Sequence, residues 1–275
     1  MKNANIKVVA CDIDATLVYD YKKELPEENR KALIDLMEQG IKVGLASGRA
    51  YEDLKSYPEN WNMPGPFDFY VGLNGASLYD EANGKNEIFF EIGTDHVKMI
   101  IEEIDRLDLD CHIYVDGVTL FLKESERFLK IRDTKHRDFR VAKSISEMYE
   151  KKTSKILINC DDEKMPAIRE HFAPILEKTN NEVKLVRTSP GCMEFVPAKA
   201  NKFYALKKYC DGHNIDIKDV AAFGDTTNDN EMIQGAGLGV CMANGSDDTK
   251  ALADVISEYP AEENGFAKYI YMHIL

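Results

Sequence analysis

Apolar and polar positions follow two textures along the chain. Through the first eighty residues, short apolar runs at 7–11, 41–46 and 67–73 are separated by stretches with helical spacing. Strands alternating with helices in this way build a parallel sheet wrapped by helices. Pro26 with Glu27 and Glu28 makes a helix start, Leu33, Leu36 and Met37 share one apolar face, and Gly40 is a natural stop. Asn74-Gly75, ahead of the stretch 76–79, predicts a tight hairpin with Asn74 as the first residue of a type I′ turn.

From about Asp80 the texture changes. Residues 81–86 (Glu-Ala-Asn-Gly-Lys-Asn) are polar and turn-rich and predict a linker. Val97, Ile100, Ile101 and Ile104 recur at helical spacing behind Thr94, which predicts a helix over 94–107. Apolar runs at 111–115 and 118–122 flank the hairpin signal Asp116-Gly117. A strand at 155–159, a helix over 163–178 despite Pro166 and Pro174, and a strand at 182–186 follow. Hairpins mixed with helices predict an α+β unit inserted into the parallel sheet. After Gly191 the first texture returns, with strands at 193–196, 220–223 and 238–242, helices at 201–210 and from 229, and a last helix over 266–275. The expected organisation is an α/β, Rossmann-like core of residues 1–82 and 190–275 with an α+β insertion at 83–189.

Composition narrows the function. With 275 residues, 44% of them hydrophobic, the chain can bury real cores. A net charge of -13 without any Lys/Arg cluster argues against nucleic-acid partners. The six cysteines lie far apart with no C-x-x-C pair and read as buried thiols. No segment approaches the roughly 20 apolar residues of a membrane helix. The apolar stretch 6–11 runs straight into an aspartate pair that cleavage as a signal peptide would destroy. A soluble, cytoplasmic protein with a small-molecule partner is expected, with no nucleic-acid, membrane or protein partner evident.

The chemistry concentrates where apolar runs end. Asp12 and Asp14 follow the first strand one residue apart, and they share a face if the extended geometry persists through them. Gly224-Asp225-Thr226-Thr227-Asn228-Asp229 follows another buried strand, at the edge where open α/β sheets keep their ligand crevice. Alone, Asp225 and Asp229 could be a turn residue and a helix cap. Gathered with Asp12 and Asp14, four carboxylates need a cation, and oxygen-only ligands suit Mg²⁺ better than zinc. A calcium loop fails because its sixth-position glycine is replaced by Leu17 and Asn230. Gly235, Gly237 and Gly239 do not make a dinucleotide turn, since a strand follows rather than precedes them. Ser47 reads first as a strand-end hydroxyl capping a turn. Lys199 and Lys202 read as surface lysines at a helix start, where the helix dipole disfavours a cation; that misfit favours an anionic partner for Lys202. The six histidines are scattered without metal-ligand spacing and read as surface residues.

Asp12-Ile13-Asp14-Ala15-Thr16, Ser47-Gly48-Arg49 at a strand end, Lys202 ahead of a helix, and Gly224-Asp225 with Asn228-Asp229 together resemble the four ordered motifs of the haloacid dehalogenase superfamily. The long insertion between the second and third motifs resembles the Cof-type branch, whose cap domain sits there. Asn74-Gly75-Ala76 and Cys241-Met242-Ala243-Asn244 also resemble stretches of that branch. The resemblance implies a Mg²⁺-dependent phosphatase acting on a small phosphorylated metabolite, with sugar phosphates the expected class and substrate choice in the cap. Asp12 would be the nucleophile that forms an aspartyl phosphate, and Asp14 the general acid and base. Asp12, the main-chain oxygen of Asp14, Asp225 and Asp229 would hold the ion. Ser47, Gly48, Arg49, Lys202 and Asn228 would bind phosphate or substrate. Two departures stand out: Ala15 takes the place of a usual glycine, and the tail at 262–266 matches loosely. A phosphotransferase or phosphomutase on the same scaffold, or a metabolite-binding protein without turnover, are the alternatives.

Overall fold

A computed structural model describes residues 5–19, 24–126, 128–129, 138–189 and 191–275. His136 and the expected boundary residue Pro190 lie outside these. The chain divides into two compact units, Met1–Phe89 with Asn201–Leu275, and Phe90–Ala200.

The first unit holds an eight-stranded sheet. Its strands are β1 (Val8–Cys11), β2 (Lys42–Ala46), β3 (Phe69–Gly72), β4 (Ser77–Asp80) and β5 (Lys85–Ile88) before the insertion, and β12 (Val220–Gly224), β13 (Leu238–Cys241) and β14 (Val255–Ile256) after it. Their order is β14-β13-β12-β1-β2-β3-β4-β5, parallel from β14 to β3. β1 is central because its Val-Val-Ala-Cys run is buried on both faces, as a doubly covered parallel strand must be. Val9 and Cys11 join the cluster of Val43, Leu45 and Phe223 on one side, while Val8 and Ala10 join Phe69, Val71 and Leu206 on the other. On the first side, helix Glu27–Glu38 packs Ala32, Leu33 and Leu36 against the sheet. Asn29, fully buried in that helix, donates to Leu17 O at 2.8 Å and accepts from Ala267 N at 3.1 Å. It thereby ties the first loop to the C-terminal segment, where helix Gly265–Tyr269 continues as a π-turn over Ile270–Ile274.

Among its described residues the second unit holds six strands: β6 (Asp110–Val115), β7 (Val118–Phe121), β8 (Asp138–Val141), β9 (Ile156–Asn159), β10 (Val183–Ser189) and β11 (Cys192–Pro197). They lie in the order β10-β11-β9-β6-β7-β8. Helices Thr94–Arg106 and Met165–Glu177 send Val97, Ile100, Ile101, Ile104, Ile168 and Phe172 against one face, which carries Cys111, Ile113, Ile156, Ile158, Met193 and Phe195.

Several expectations are corrected. The segment read as a linker ends in strand β5, paired antiparallel with β4; its Lys-Asn-Glu-Ile sequence is exposed throughout and suits an edge strand that must discourage further pairing. The strand expected to resume the parallel sheet at 193–196 is β11, which pairs antiparallel with β10 and β9 in the second unit. β3 and β4 do form a hairpin, but Leu73, Asn74 and Gly75 take φ of 53°, 54° and 89° in a wider turn than the two-residue type I′. His112 is buried, its ring stacked 4.7 Å from that of Phe121. All six cysteines are free thiols, five of them buried as expected and Cys160 only half-buried. Among the described residues no helix is long and apolar enough to cross a membrane.

Candidate active site

The order of strands reverses at β1, with β2 on one side and β12 on the other, and a crevice opens beyond their carboxyl ends at such a point. Asp12 keeps its backbone in the sheet for one more residue, its N–H donating to Phe223 O at 2.9 Å. Its side chain meets Lys202, whose Nζ donates to Asp12 Oδ1 and Asp229 Oδ1, each at 2.6 Å. Lys202 is fully buried, so its reading as a surface lysine is corrected. The misfit with the helix dipole is real, since Lys202 opens helix Lys202–Gly212 behind an Asn201 cap that accepts from Tyr204 N at 2.8 Å. Two carboxylates offset it. Gly75 lets this helix start come close: a Cβ there would lie 1.8 Å from Asn201 O.

Asp229 has two tasks. One oxygen takes Lys202, and Oδ2 accepts from the backbone N–H groups of Asp225 at 3.0 Å and Thr226 at 3.2 Å. The N-cap role considered for it is not what its side chain does: Asp229 precedes helix Asn230–Gly235 without a side-chain cap bond, and instead reaches back as the third residue of a capping box that Thr226 opens. Gly224 makes room, because a Cβ would fall 2.4 Å from Asp229 Cγ. Asp225 accepts from Thr16 Oγ1 at 3.3 Å. Carboxylate oxygens of Asp12, Asp225 and Asp229 all lie within 4.8 Å of one another. Burial and neighbouring charge govern the titration of Asp12 and Asp225. Burial raises the Asp12 carboxyl well above the usual range against the pull of Lys202, with Asp229 and Asp225 adding to the rise. Asp225 is pushed up to about 7 by burial and by Asp229. Burial alone would lower Lys202, yet Asp12 and Asp229 outweigh it and raise the ammonium above its ordinary value.

Asp14 does not share this cluster. The chain leaves the extended conformation at Ala15, which has φ 59°, and the Asp14 carboxylate turns to Arg49. The guanidinium grips it with two prongs, Nη2 to Oδ1 at 3.0 Å and Nη1 to Oδ2. Arg49 also lies 5.9 Å over the Tyr57 ring, with Nη1 3.4 Å from Ser47 Oγ. Ser47 is buried at the end of β2, its N–H donating to Val71 O at 2.9 Å and its Oγ accepting from Arg49 N at 3.3 Å. Gly48 packs against Asn74, whose Oδ1 accepts from Asn228 Nδ2 at 3.1 Å. The residues singled out from sequence thus fall into two adjoining groups, Asp12, Lys202, Asp225 and Asp229, and Asp14, Ser47 and Arg49, with Asn228 joined to Asn74. Sequence reasoning missed Thr16 as the partner of Asp225, Tyr57 beneath Arg49, and Asn244, which donates to Ala15 O at 2.9 Å. Thr16 and Asn244 both carried a signal, since each ends a stretch that resembles the family, but neither was given a role; Tyr57 carried none.

A lysine-braced carboxylate cluster at the switch point of a parallel sheet defines an α/β protein with its ligand crevice at that edge. Residues 9–270 match the family of haloacid dehalogenase-like hydrolases, and the chain belongs to that family. It is 27% identical over 274 residues to a 5-amino-6-(5-phospho-D-ribitylamino)uracil phosphatase of Bacillus subtilis, covering 100% of this chain and 98% of that one. A haloacid dehalogenase-like hydrolase from Bacteroides thetaiotaomicron superimposes with a TM-score of 0.84 at 24% identity, covering 97% and 99% of the two chains. A sugar phosphatase of haloacid dehalogenase subclass IIB superimposes with a TM-score of 0.79 at 21% identity over 97% and 98%. The structural likenesses show the shared fold, and the family together with its phosphatase relatives supports a phosphatase.

Proposed function

We propose that the chain hydrolyses the phosphate monoester of a small metabolite, of the sugar phosphate class, with Mg²⁺ and through an aspartyl phosphate on Asp12. The observation that carries this reading is the buried Lys202 that binds Asp12 and Asp229 at 2.6 Å each, beside Asp225. Three carboxylates face one ammonium, and a divalent cation fits that excess charge and that all-oxygen donor set. Asp12, Asp225 and Asp229, with the main-chain oxygen of Asp14, would hold Mg²⁺, whose chemistry there is to neutralise charge on the phosphoryl oxygens. Lys202 fixes one oxygen of Asp12, and the other attacks phosphorus, splitting one hard displacement into two easier ones. Ser47 hydrogen-bonds the transferring group and Lys202 adds a compact positive charge. Arg49 exchanges its carboxylate partner for substrate oxygens, which frees Asp14 to protonate the leaving alcohol and then take a proton from the hydrolytic water.

The sugar phosphate class rests on the family likeness and on the relative that acts on a phosphorylated ribityl compound. Release of phosphate from an aryl phosphate and from a panel of sugar phosphates, with and without Mg²⁺, tests the reading. Asp12→Asn should reduce metal-dependent release to background, and a variant as active as the parent overturns the nucleophile assignment. Adding a competing sugar acceptor and analysing the products separates hydrolysis from transfer.

A further inference from the structure

The turn that carries Asp14 contains a residue poorly suited to it. Ala15 sits at φ 59°, in the left-handed region where a Cβ crowds the backbone and glycine is favoured. Local hydrogen bonds hold the turn from inside: Ala15 N–H donates to Val18 O at 2.7 Å, and Leu17 and Val18 N–H donate to Ile13 O at 3.0 and 2.9 Å. From outside, Asn244 grips the same residue. Its Nδ2 donates to Ala15 O at 2.9 Å while its Oδ1 accepts from Ala261 N at 2.8 Å.

The loop bearing Asn244 is itself anchored to the strand end that presents Asp225. Met242 N–H donates to Gly224 O at 2.9 Å and Ser246 N–H to Asp225 O at 2.8 Å. Gly245 fits there only without a side chain, since a Cβ would lie 2.4 Å from Cys241 Sγ and 2.9 Å from Asp225 O. On its far side, Ala243 N–H donates to Ser257 Oγ at 3.0 Å. Asn244 thus joins the Asp14 turn to Ala261, and the loop that carries it is bonded to the Asp225 strand end and to Ser257.

We propose that Asn244 is a positioning residue for the Asp14 turn, a latch that holds Ala15 left-handed and so fixes Asp14 and its main-chain oxygen relative to Asp225. The bonds within residues 13–18 do not set that relation; Thr16 Oγ1 donates to Asp225 Oδ1 at 3.3 Å and Asn29 Nδ2 to Leu17 O at 2.8 Å, but neither bonds Ala15, which Asn244 does at 2.9 Å. The need for the latch follows from alanine at position 15: with glycine there, the left-handed conformation costs little and the turn keeps its shape with less outside help. The inference rests on the proposed function for its kinetic consequence but not for its structural one.

The test compares the parent, Asn244→Ala, Ala15→Gly and the double variant in two readouts. The first is amide hydrogen exchange of residues 15–18, which needs no activity. Asn244→Ala should accelerate exchange there, and the double variant should return most of the protection. The second is Mg²⁺-dependent aryl phosphate hydrolysis, in which Asn244→Ala should lower kcat about tenfold with little change in KM, as a misplaced reacting group does, and Ala15→Gly should restore most of it. Unchanged exchange and kcat in Asn244→Ala overturns the proposal, as does a loss that Ala15→Gly fails to relieve. A parent without phosphatase activity overturns the functional reading, and the exchange data then decide the latch by themselves.

Discussion

At the scale of single residues, the site separates two carboxylates that are neighbours in sequence. Asp12 faces Lys202 and the other acids, whereas Asp14 is held by Arg49 across a bend at Ala15. Two acids one residue apart repel strongly in one environment, and different partners resolve the conflict. Their proposed duties differ accordingly. Asp14→Asn preserves size but cannot exchange protons, so kcat should fall by about 10²- to 10⁴-fold while substrate KM stays within a few-fold. Steady-state kinetics on an aryl phosphate and on a sugar phosphate check this, and undiminished turnover would remove Asp14 from the mechanism. Asp12 and Asp225 were legible because each stands where an apolar run gives way to polar chain; Lys202 was read as a surface lysine, and only its misfit with the helix dipole pointed to the anionic partners it has. The Arg49 grip on Asp14 was not legible, since it depends on a left-handed alanine that no periodicity reveals.

At the scale of elements, the start of helix Lys202–Gly212 decides whether the buried ammonium reaches its partners. The turn after β3 sets that position through Gly75, with φ 89° and the Asn201 carbonyl where a side chain would go. Gly75→Ala should lower stability by more than about 1 kcal/mol and cut aryl phosphate turnover together with it, because both the turn and the helix start must move. Thermal melting and kcat measured on the same samples check the coupling. Most elements were readable from apolar spacing. Membership of a sheet was less so, as β5 and β11 demonstrate. An exposed Lys-Asn-Glu-Ile edge has no apolar face to announce it, and the short apolar run of β11 does not say which sheet it joins. The broad α/β frame with an inserted α+β unit was nonetheless legible, because the change in texture reflects a change from crossover helices to hairpins.

At the scale of the whole molecule, the acidic cluster links folding to pH and, through the ion proposed above, to metal. Asp225 titrates at about 7 in the folded chain, above its ordinary value of 3.8. Between those values the folded state holds a proton that the unfolded state has lost, so its contribution to stability is full below about 4 and disappears as pH rises through about 7. Metal-free protein should therefore melt at lower temperature at pH 8 than at pH 6 from this group, and Mg²⁺ should reverse the loss at pH 8. Asp225→Asn should flatten the pH dependence and weaken the Mg²⁺ effect. Melting curves across this range with and without the ion check both, and an equal metal shift in parent and variant would place the ion elsewhere.

The split layout of the first unit also fixes the order in which the protein can become competent during synthesis. Asp12 leaves the ribosome early, but the lysine and acids that surround it belong to residues 202–229, beyond the whole of the inserted unit. Asn29 waits longer still for its backbone partner at Ala267. The nascent chain therefore carries its proposed nucleophile through most of translation with the buried cation that fixes it not yet made, and chemistry begins only when the segment after the insertion has emerged and threaded β12 beside β1.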